Sequence, residues 1–186
     1  VAVLENAISR YLVNGEVPGP IGNRHPSITP FEGFTASDGY VIVGAGNDRL
    51  WKKLCELLGK PELTTDPRFV TNGDRTNNQK ALKPILDSVF KTKTIDAWLV
   101  VLEEAGIPCA PINTVDRVLK DPQIKARNMI VEVEHPVAGK MHIPGVPIKM
   151  SQTPGTVEKA APLLGQHTEE ILSEMLGYDN AKVQEL

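Results

Sequence analysis

Residues 31–48 decide how this chain folds, and they read Phe31-Glu32-Gly33-Phe34-Thr35-Ala36-Ser37-Asp38-Gly39-Tyr40-Val41-Ile42-Val43-Gly44-Ala45-Gly46-Asn47-Asp48. Two runs within this stretch, 31–35 and 40–43, are rich in aromatic and β-branched residues, which favour strands. Ser37-Asp38-Gly39 lies between them and has the composition of a tight hairpin turn. The stretch therefore predicts a β-hairpin, and its polar end predicts that Asn47 or Asp48 caps a following helix.

Helical periodicity appears on both sides of this hairpin. Apolar residues recur three and four positions apart, and glycine follows most of these segments. The predicted helices cover about residues 3–12, 50–58, 82–90 and 94–105. Pro84 should kink the third helix unless it lies in the first turn, because it lacks a backbone donor. Residues 61–75 read as an irregular connection.

The elements predicted in the second half of the chain are shorter. The sequence predicts a short buried strand around Cys109, two short helices near residues 115–119 and 122–126, and a second hairpin of residues 129–134 and 140–143. A linker-like stretch, 151–161, precedes further helices. Together these features predict an α/β (α+β) fold in which two β-hairpins form one sheet flanked by helices.

Composition limits the classes of function. The chain has 186 residues, of which 41% are hydrophobic and 23% charged, with a net charge of −3, so it is globular and lacks a basic field for nucleic acid. Its two cysteines show no ligand or disulfide spacing, which favours a reducing compartment. No run suggests a membrane span or signal peptide. We expect a cytoplasmic protein, with the mitochondrial matrix as the alternative in a eukaryote, and no nucleic-acid or membrane partner.

The best local candidate for chemistry is the polar loop 18–28, which contains Gly22, Asn23, Arg24 and His25. Glycine lets backbone N–H groups approach a ligand, and the surrounding prolines stiffen the loop. Arg24 adds a fixed positive fork, and His25 adds a group that titrates near neutrality. The competing interpretation is a plain surface turn.

Other candidates have simpler structural explanations. The glycine-rich turn 44–48 lacks a complete phosphate-binding motif, so it is better explained as a strand-to-helix connection. Cys109 has no base or cation in its motif and reads as a structural thiol. His135 and His142 have no other metal ligand at suitable spacing, and His167 is typical of a helix start. We therefore expect no metal site.

Six short motifs, taken together, resemble a known family. In chain order they are Gly22-Asn23-Arg24-His25-Pro26, Ser37-Asp38-Gly39-Tyr40, Gly46-Asn47-Asp48, Asp66-Pro67-Arg68-Phe69, Ala105-Gly106-Ile107-Pro108-Cys109-Ala110-Pro111-Ile112 and Ala161-Pro162-Leu163-Leu164-Gly165-Gln166-His167-Thr168. Their order and spacing resemble the family III CoA-transferases of the CaiB/BaiF type, in the C-terminal half of the family's sequence.

The resemblance implies an activity. Members move CoA from an acyl-CoA to a carboxylic acid, and an aspartate carboxylate attacks the thioester to form covalent enzyme intermediates. In the family this aspartate lies in an N-terminal α/β domain, which would precede Val1. The resemblance therefore implies no catalytic residue in this chain, no permanently bound cofactor, and a CoA thioester and a small carboxylic acid as substrates. The chain alone should be inactive.

The resemblance also implies an architecture. Gly22, Asn23, Arg24 and His25 match the loop that covers the family's active site and contacts the acyl-CoA. Residues 1–28 would form a connecting helix and this loop, 29–150 a small domain, and 151–186 a linker and helices returning to the large domain. Family subunits interlock as homodimers. The apolar faces of the first and last helices should then be exposed in this chain.

Two alternatives remain open. Acyl-CoA racemases share this architecture and exchange a proton beside the thioester instead of transferring CoA. A non-catalytic assembly or binding module is the second alternative.

Overall fold

The computed structural model describes residues 2–186, apart from the side chains of Ala2 and Glu5. The chain divides into two compact units, Val1–Ile112 and Asn113–Leu186, which are described separately. In the described part of the chain, no helix is long and apolar enough to cross a membrane.

The first unit alternates short strands with helices. Its elements are the 3-10 helix Ala2–Leu4, α1 (Glu5–Asn14), β1 (Phe31–Ala36), β2 (Gly39–Gly44), α2 (Asp48–Leu57), the 3-10 helix Pro61–Thr64, α3 (Asn72–Asn77), α4 (Gln79–Phe90), α5 (Ile95–Glu104) and β3 (Cys109–Pro111). The predicted first hairpin and the short strand at Cys109 are both present.

These three strands form an antiparallel sheet in the order β1-β2-β3. Phe34 pairs with Val41 across the hairpin, and Ile42 pairs with Ala110 of β3. The turn residue Asp38 accepts a hydrogen bond from the backbone N–H of Ile95 at 2.8 Å, which joins the hairpin to the start of α5. The sheet is therefore fixed to the helices by a side chain of its own turn.

The core lies between this sheet and helices α2, α4 and α5. Phe34 stacks on Phe90 with ring centroids 4.8 Å apart, and Phe90 contacts Trp98 at 4.9 Å. The indole N–H of Trp98 donates to the Phe90 carbonyl at 2.7 Å, so burying this ring leaves no unpaired polar group. This aromatic stack packs the core of the first unit and includes no residue of loop 18–28.

The second unit has little core. It contains α6 (Val115–Lys120), α7 (Pro122–Ala126), β4 (Ile130–His135), β5 (Gly139–Pro144), α8 (Thr168–Glu170), the π-helix Ile171–Met175 and α9 (Asn180–Glu185). Strands β4 and β5 form a two-stranded sheet of their own. The prediction that both hairpins form one sheet is wrong in this detail. The second edge of β2 is taken by strand β3 instead. Strand β5 is largely exposed, so it has no buried face for further strands to extend.

Two helical predictions need correction. Residues 61–75 are not irregular throughout, because they contain the 3-10 helix Pro61–Thr64 and the start of α3. Thr71 and Asp74 form a capping box there, a signal readable in the sequence. Helix α4 begins at Gln79 rather than near Leu82 and continues through Pro84, which lies beyond its first turn; the kink expected at Pro84 stays a prediction.

The terminal helices expose apolar side chains, as predicted. Leu12 of α1 is 76% exposed and Met175 of the π-helix is 78% exposed. Among the described residues, both side chains are thus largely uncovered by their own units.

Candidate functional site

The candidate loop, Gly22–His25, folds back onto the start of β1. Gly22 has a φ of +73°, a left-handed conformation that favours glycine. The side-chain oxygen of Asn23 accepts a weak hydrogen bond from the backbone N–H of Gly33 at 3.4 Å. A Cβ atom at Gly33 would lie 2.8 Å from the Asn23 amide nitrogen, so the glycine in β1 makes room for this contact.

His25 is held through both its backbone and its ring. Its N–H donates to the carbonyl of Phe31 at 2.8 Å, and its ring stacks on Phe31 with centroids 5.6 Å apart and planes 3° from parallel. The ring nitrogen Nδ1 accepts from the backbone N–H of Ser27 at 3.2 Å. In the neutral ring this acceptor role places the proton on Nε2, which leaves Nε2–H as the donor.

Arg24 differs from its neighbours. It is half-buried, yet within the described residues 2–186 its guanidinium has no hydrogen bond or ion pair. A guanidinium is always charged and carries five N–H donors. Arg24 is therefore a cation available for an anionic ligand.

An apolar cavity of about 470 Å³ lies beside this loop. Phe31, which carries the His25 ring, forms part of its wall, and Gly46 and Cys109 line it as well. The remaining lining residues are Ile28, Ile42, Gly44, Asn47, Leu50, Pro108 and Ala110. A cavity of this size and character suits the uncharged part of a small ligand.

The cavity lies at the end of β2, where the chain enters α2. Asn47 is the N-cap of α2 and accepts a hydrogen bond from the Leu50 N–H at 2.9 Å, which confirms the predicted strand-to-helix turn. A Cβ atom at Gly46 would lie 2.0 Å from Cγ2 of Ile28. Glycine at position 46 therefore allows Ile28 to pack against the turn.

Two residues of α3 hold the segment between the loop and β1, which we call the anchor segment (residues 27–30). Asn72 accepts from the Thr29 N–H at 3.0 Å and donates to the Ser27 carbonyl at 2.8 Å. Arg75, with 0% of its surface exposed, donates to the Thr29 carbonyl at 2.8 Å. The sequence predictions missed both residues. The Thr71–Asp74 capping box could have located α3, but nothing local indicates its long-range contacts.

The other candidate residues serve local structure. Nδ1 of His135 accepts from the backbone N–H groups of Val137 and Ala138, at 3.2 and 3.0 Å, inside the second hairpin turn. His167 pairs with Glu170 at 2.9 Å, one turn further along the chain. Across residues 2–186, no group of three or more His, Cys, Asp or Glu side chains is placed to hold a metal ion.

Both thiols lie in surroundings that disfavour the thiolate. Burial raises the pKa of Cys55 to about 12 and also raises the pKa of Cys109. Cys109 lies in β3 and lines the apolar cavity, where desolvation disfavours a thiolate. Neither cysteine is prepared to act as a nucleophile.

Comparison with known proteins identifies the family. Residues 1–168 match the profile of CoA-transferase family III. The chain therefore belongs to this family, as its motifs predicted.

Relatives with known names cover the whole chain or most of it. Human succinyl-CoA:glutarate CoA-transferase is 37% identical over 186 residues, which are 100% of this chain and 42% of that protein. Acetyl-CoA:oxalate CoA-transferase of Acetobacter aceti is 40% identical over 151 residues, 81% of this chain and 38% of that protein. The chain thus spans less than half the length of these relatives.

A solved structure has the same fold. The crystal structure of a CaiB/BaiF family protein from Brucella suis matches with a TM-score of 0.78 and 37% identity, over 94% of this chain and 45% of that one. The match confirms the mixed α/β fold class.

Proposed function

We propose that this chain is the C-terminal portion of an enzyme that moves CoA from an acyl-CoA to a carboxylic acid through an aspartyl intermediate. The family match over residues 1–168 carries the proposal. The names of the relatives support a short acyl-CoA, such as succinyl-CoA or acetyl-CoA, as donor and a short dicarboxylic acid as acceptor. We further propose that the full protein is an interlocked homodimer, with residues 29–150 as its small domain.

The three aspartates of the family motifs, Asp38, Asp48 and Asp66, are engaged in local structure, which supports a nucleophile upstream of Val1. Asp38 accepts from the Ile95 N–H, and Asp48 pairs with Arg75 at 3.1 Å. Asp66 is paired with Arg68 at 2.7 Å. Each of these carboxylates is committed to a turn or an ion pair, so none is poised to attack a thioester.

The proposed reaction is a sequence of acyl transfers. A carboxylate oxygen of the upstream aspartate attacks the thioester carbon, the C–S bond breaks, and CoA leaves as the thiolate. The thiolate then attacks the aspartyl carbonyl of the resulting anhydride, which releases the first acid and forms an aspartyl-CoA thioester. The acceptor carboxylate attacks the carbonyl carbon of that thioester, which expels the CoA thiolate and forms a second anhydride. The thiolate then attacks the acceptor's acyl carbon, which forms the new acyl-CoA and releases the aspartate carboxylate. Water would hydrolyse each intermediate, so the site needs a cover.

This chain would supply that cover. Gly22–His25 lies beside the apolar cavity, which would receive the uncharged part of the thioester. The Arg24 guanidinium would bind the distal carboxylate of a dicarboxylic substrate, since such pairs are strong when partly desolvated.

The test compares two polypeptides, the present chain and one extended upstream of Val1. Each is incubated with succinyl-CoA and glutarate, oxalate or butyrate, and the CoA esters are separated by chromatography. We expect exchange only with the extended polypeptide. Robust exchange by the 186-residue chain would overturn the upstream nucleophile. Proton exchange beside the thioester in heavy water without CoA transfer would indicate a racemase, and no binding or turnover of a thioester would indicate a non-catalytic module.

The role of Arg24 has a separate test in the extended polypeptide. Arg24→Ala should raise the KM for glutarate by about tenfold or more, because a charge-assisted contact is lost, and should change the KM for butyrate little. Arg68→Ala is the matched control, since Arg68 is exposed and paired with Asp66. Equal effects on both acids would remove Arg24 from substrate recognition.

A further inference from the structure

The backbone of the anchor segment is held by hydrogen bonds from side chains of α3. Ser27 and Ile28 are exposed, while Thr29 and Pro30 are buried at the start of β1. Asn72 binds this backbone on both sides of Ile28, through the Ser27 carbonyl and the Thr29 N–H. A side-chain amide that both donates and accepts in this way mimics a strand partner.

Arg75 fixes the same segment to the end of β2. Its Nε donates to the Thr29 carbonyl, and its Nη2 donates to the Gly46 carbonyl at 2.6 Å. The same guanidinium donates to the carbonyls of Phe69 and Val70. One buried cation thus joins the anchor segment, the cavity wall at Gly46 and the residues before α3.

Asn72 is not needed to start its own helix. Thr71 is the N-cap of α3, and it forms a capping box with Asp74. The Asn72 side chain instead forms its hydrogen bonds with the anchor segment, 43 and 45 positions away in the sequence.

We infer that Asn72 and Arg75 are positioning residues that fix Gly22–His25 beside the cavity by holding residues 27–30. In the described part of the chain, neither side chain forms a hydrogen bond to residues 22–25; both bind the backbone that follows them. The restraint passes from Thr29 through the chain to His25, whose own contacts are with Ser27 inside the anchor segment and with Phe31 directly after it. The functional meaning of this restraint rests on the proposed CoA transfer.

Amide hydrogen exchange on the present chain tests the positioning without any activity. The probe is the His25 N–H, which donates to Phe31 and so reports the closed loop. Asn72→Ala should speed its exchange by about five- to thirtyfold, the effect expected from losing two hydrogen bonds at a partly exposed site. Asn78→Ala is the matched control at the other end of α3, because Asn78 binds Arg68 and Asp74 and does not reach residues 27–30. In Asn78→Ala, the exchange rate of the His25 N–H should equal that of the parent chain.

Two further variants guard against simple loss of folding. Asn72→Asp keeps the acceptor for the Thr29 N–H but loses the donor to the Ser27 carbonyl, so it should give an intermediate exchange rate while leaving the start of α3 intact. Arg75→Lys keeps the charge but cannot reach both Thr29 and Gly46, so it should loosen His25 at least as much as Asn72→Ala. Unchanged His25 exchange in the folded Asn72 variants would overturn the inference.

Partitioning in the extended polypeptide then tests the link to chemistry. A loosened loop admits water, so Asn72→Ala should raise the ratio of succinyl-CoA hydrolysis to CoA transfer by about three- to tenfold, a readout that general destabilisation does not predict. Faster His25 exchange with an unchanged ratio would leave the positioning role intact and overturn the covering role assigned to the loop in the proposed function.

Discussion

The contact between Gly46 and Ile28 gives the sharpest prediction about the cavity wall. A Cβ atom at position 46 would lie 2.0 Å from Cγ2 and 3.4 Å from Cβ of Ile28. Carbon atoms normally approach to about 3.5–4.0 Å, so Gly46→Ala requires Ile28 to move by about 1.5 Å. Gly46 does not have a left-handed φ, and the effect is therefore steric rather than conformational.

The expected cost follows from this displacement. Overpacking of this kind costs about 1–3 kcal/mol, and the lower part of that range applies because Ile28 is 38% exposed and can move outward. Ile28→Ala alone should cost about 1–2 kcal/mol, from three partly buried carbons at about 0.8 kcal/mol each when fully buried. In the double variant the clash is removed, so its cost should be about 1 kcal/mol less than the sum of the single costs.

Urea unfolding followed by tryptophan fluorescence measures these costs. Both tryptophans of the chain, Trp51 and Trp98, lie in the first unit, so the signal reports that unit alone. Gly44→Ala is the matched control, because its Cβ would lie 3.6 Å from Phe31, an ordinary contact. Its free energy of unfolding should stay within about 0.5 kcal/mol of the parent. The steric argument would be refuted if the costs of the two single variants added up to the cost of the double variant. It would also be refuted if Gly44→Ala were destabilised as much as Gly46→Ala.

Two further predictions concern the thiols and the carboxylate of Asp66. A thiol reagent at about pH 8 should label at most Cys109 in the native chain and also Cys55 after unfolding, because burial raises both pKa values; fast labelling of both in the folded chain would contradict their placement. The Arg68 side chain lowers the pKa of Asp66, so the stabilisation is present above the unfolded-state pKa and is lost as pH falls through the lower folded-state value. Asp66→Asn should therefore reduce the urea midpoint at neutral pH but not near about pH 2; equal shifts at both would argue against the pair.

The features that sequence predicted correctly are those with local causes. The hairpin followed from Ser37-Asp38-Gly39 between two strand-like runs, and the Asn47 cap followed from the polar end of the same stretch. Turn chemistry and N-capping involve atoms a few residues apart, so a single sequence contains them. The exposed apolar faces of the terminal helices were also predictable, but only through the family resemblance.

The parts that sequence missed depend on contacts across many residues. Arg75 is fully buried and binds Thr29, 46 positions away, whereas composition alone would place an arginine at the surface. The separate sheets have the same origin, because β3 takes the edge of β2 from a position far along the chain. The loop itself was predicted as a candidate, yet its fixed position depends on α3, which the sequence prediction treated as irregular.

In the first unit, the contacts that stabilise the fold are therefore different from those that hold the loop Gly22–His25 in place. The aromatic stack of Phe34, Phe90 and Trp98 lies on the helix side of the sheet and includes no atom of Gly22–His25. The loop is held by a few hydrogen bonds and by Ile28 against Gly46, each worth about 1 kcal/mol. Restraints of that size can be lost without unfolding a domain of ordinary stability, yet they change the open fraction of a loop several-fold. Under the covering role proposed for this loop, such a change would alter the ratio of hydrolysis to transfer while the rest of the unit remains folded.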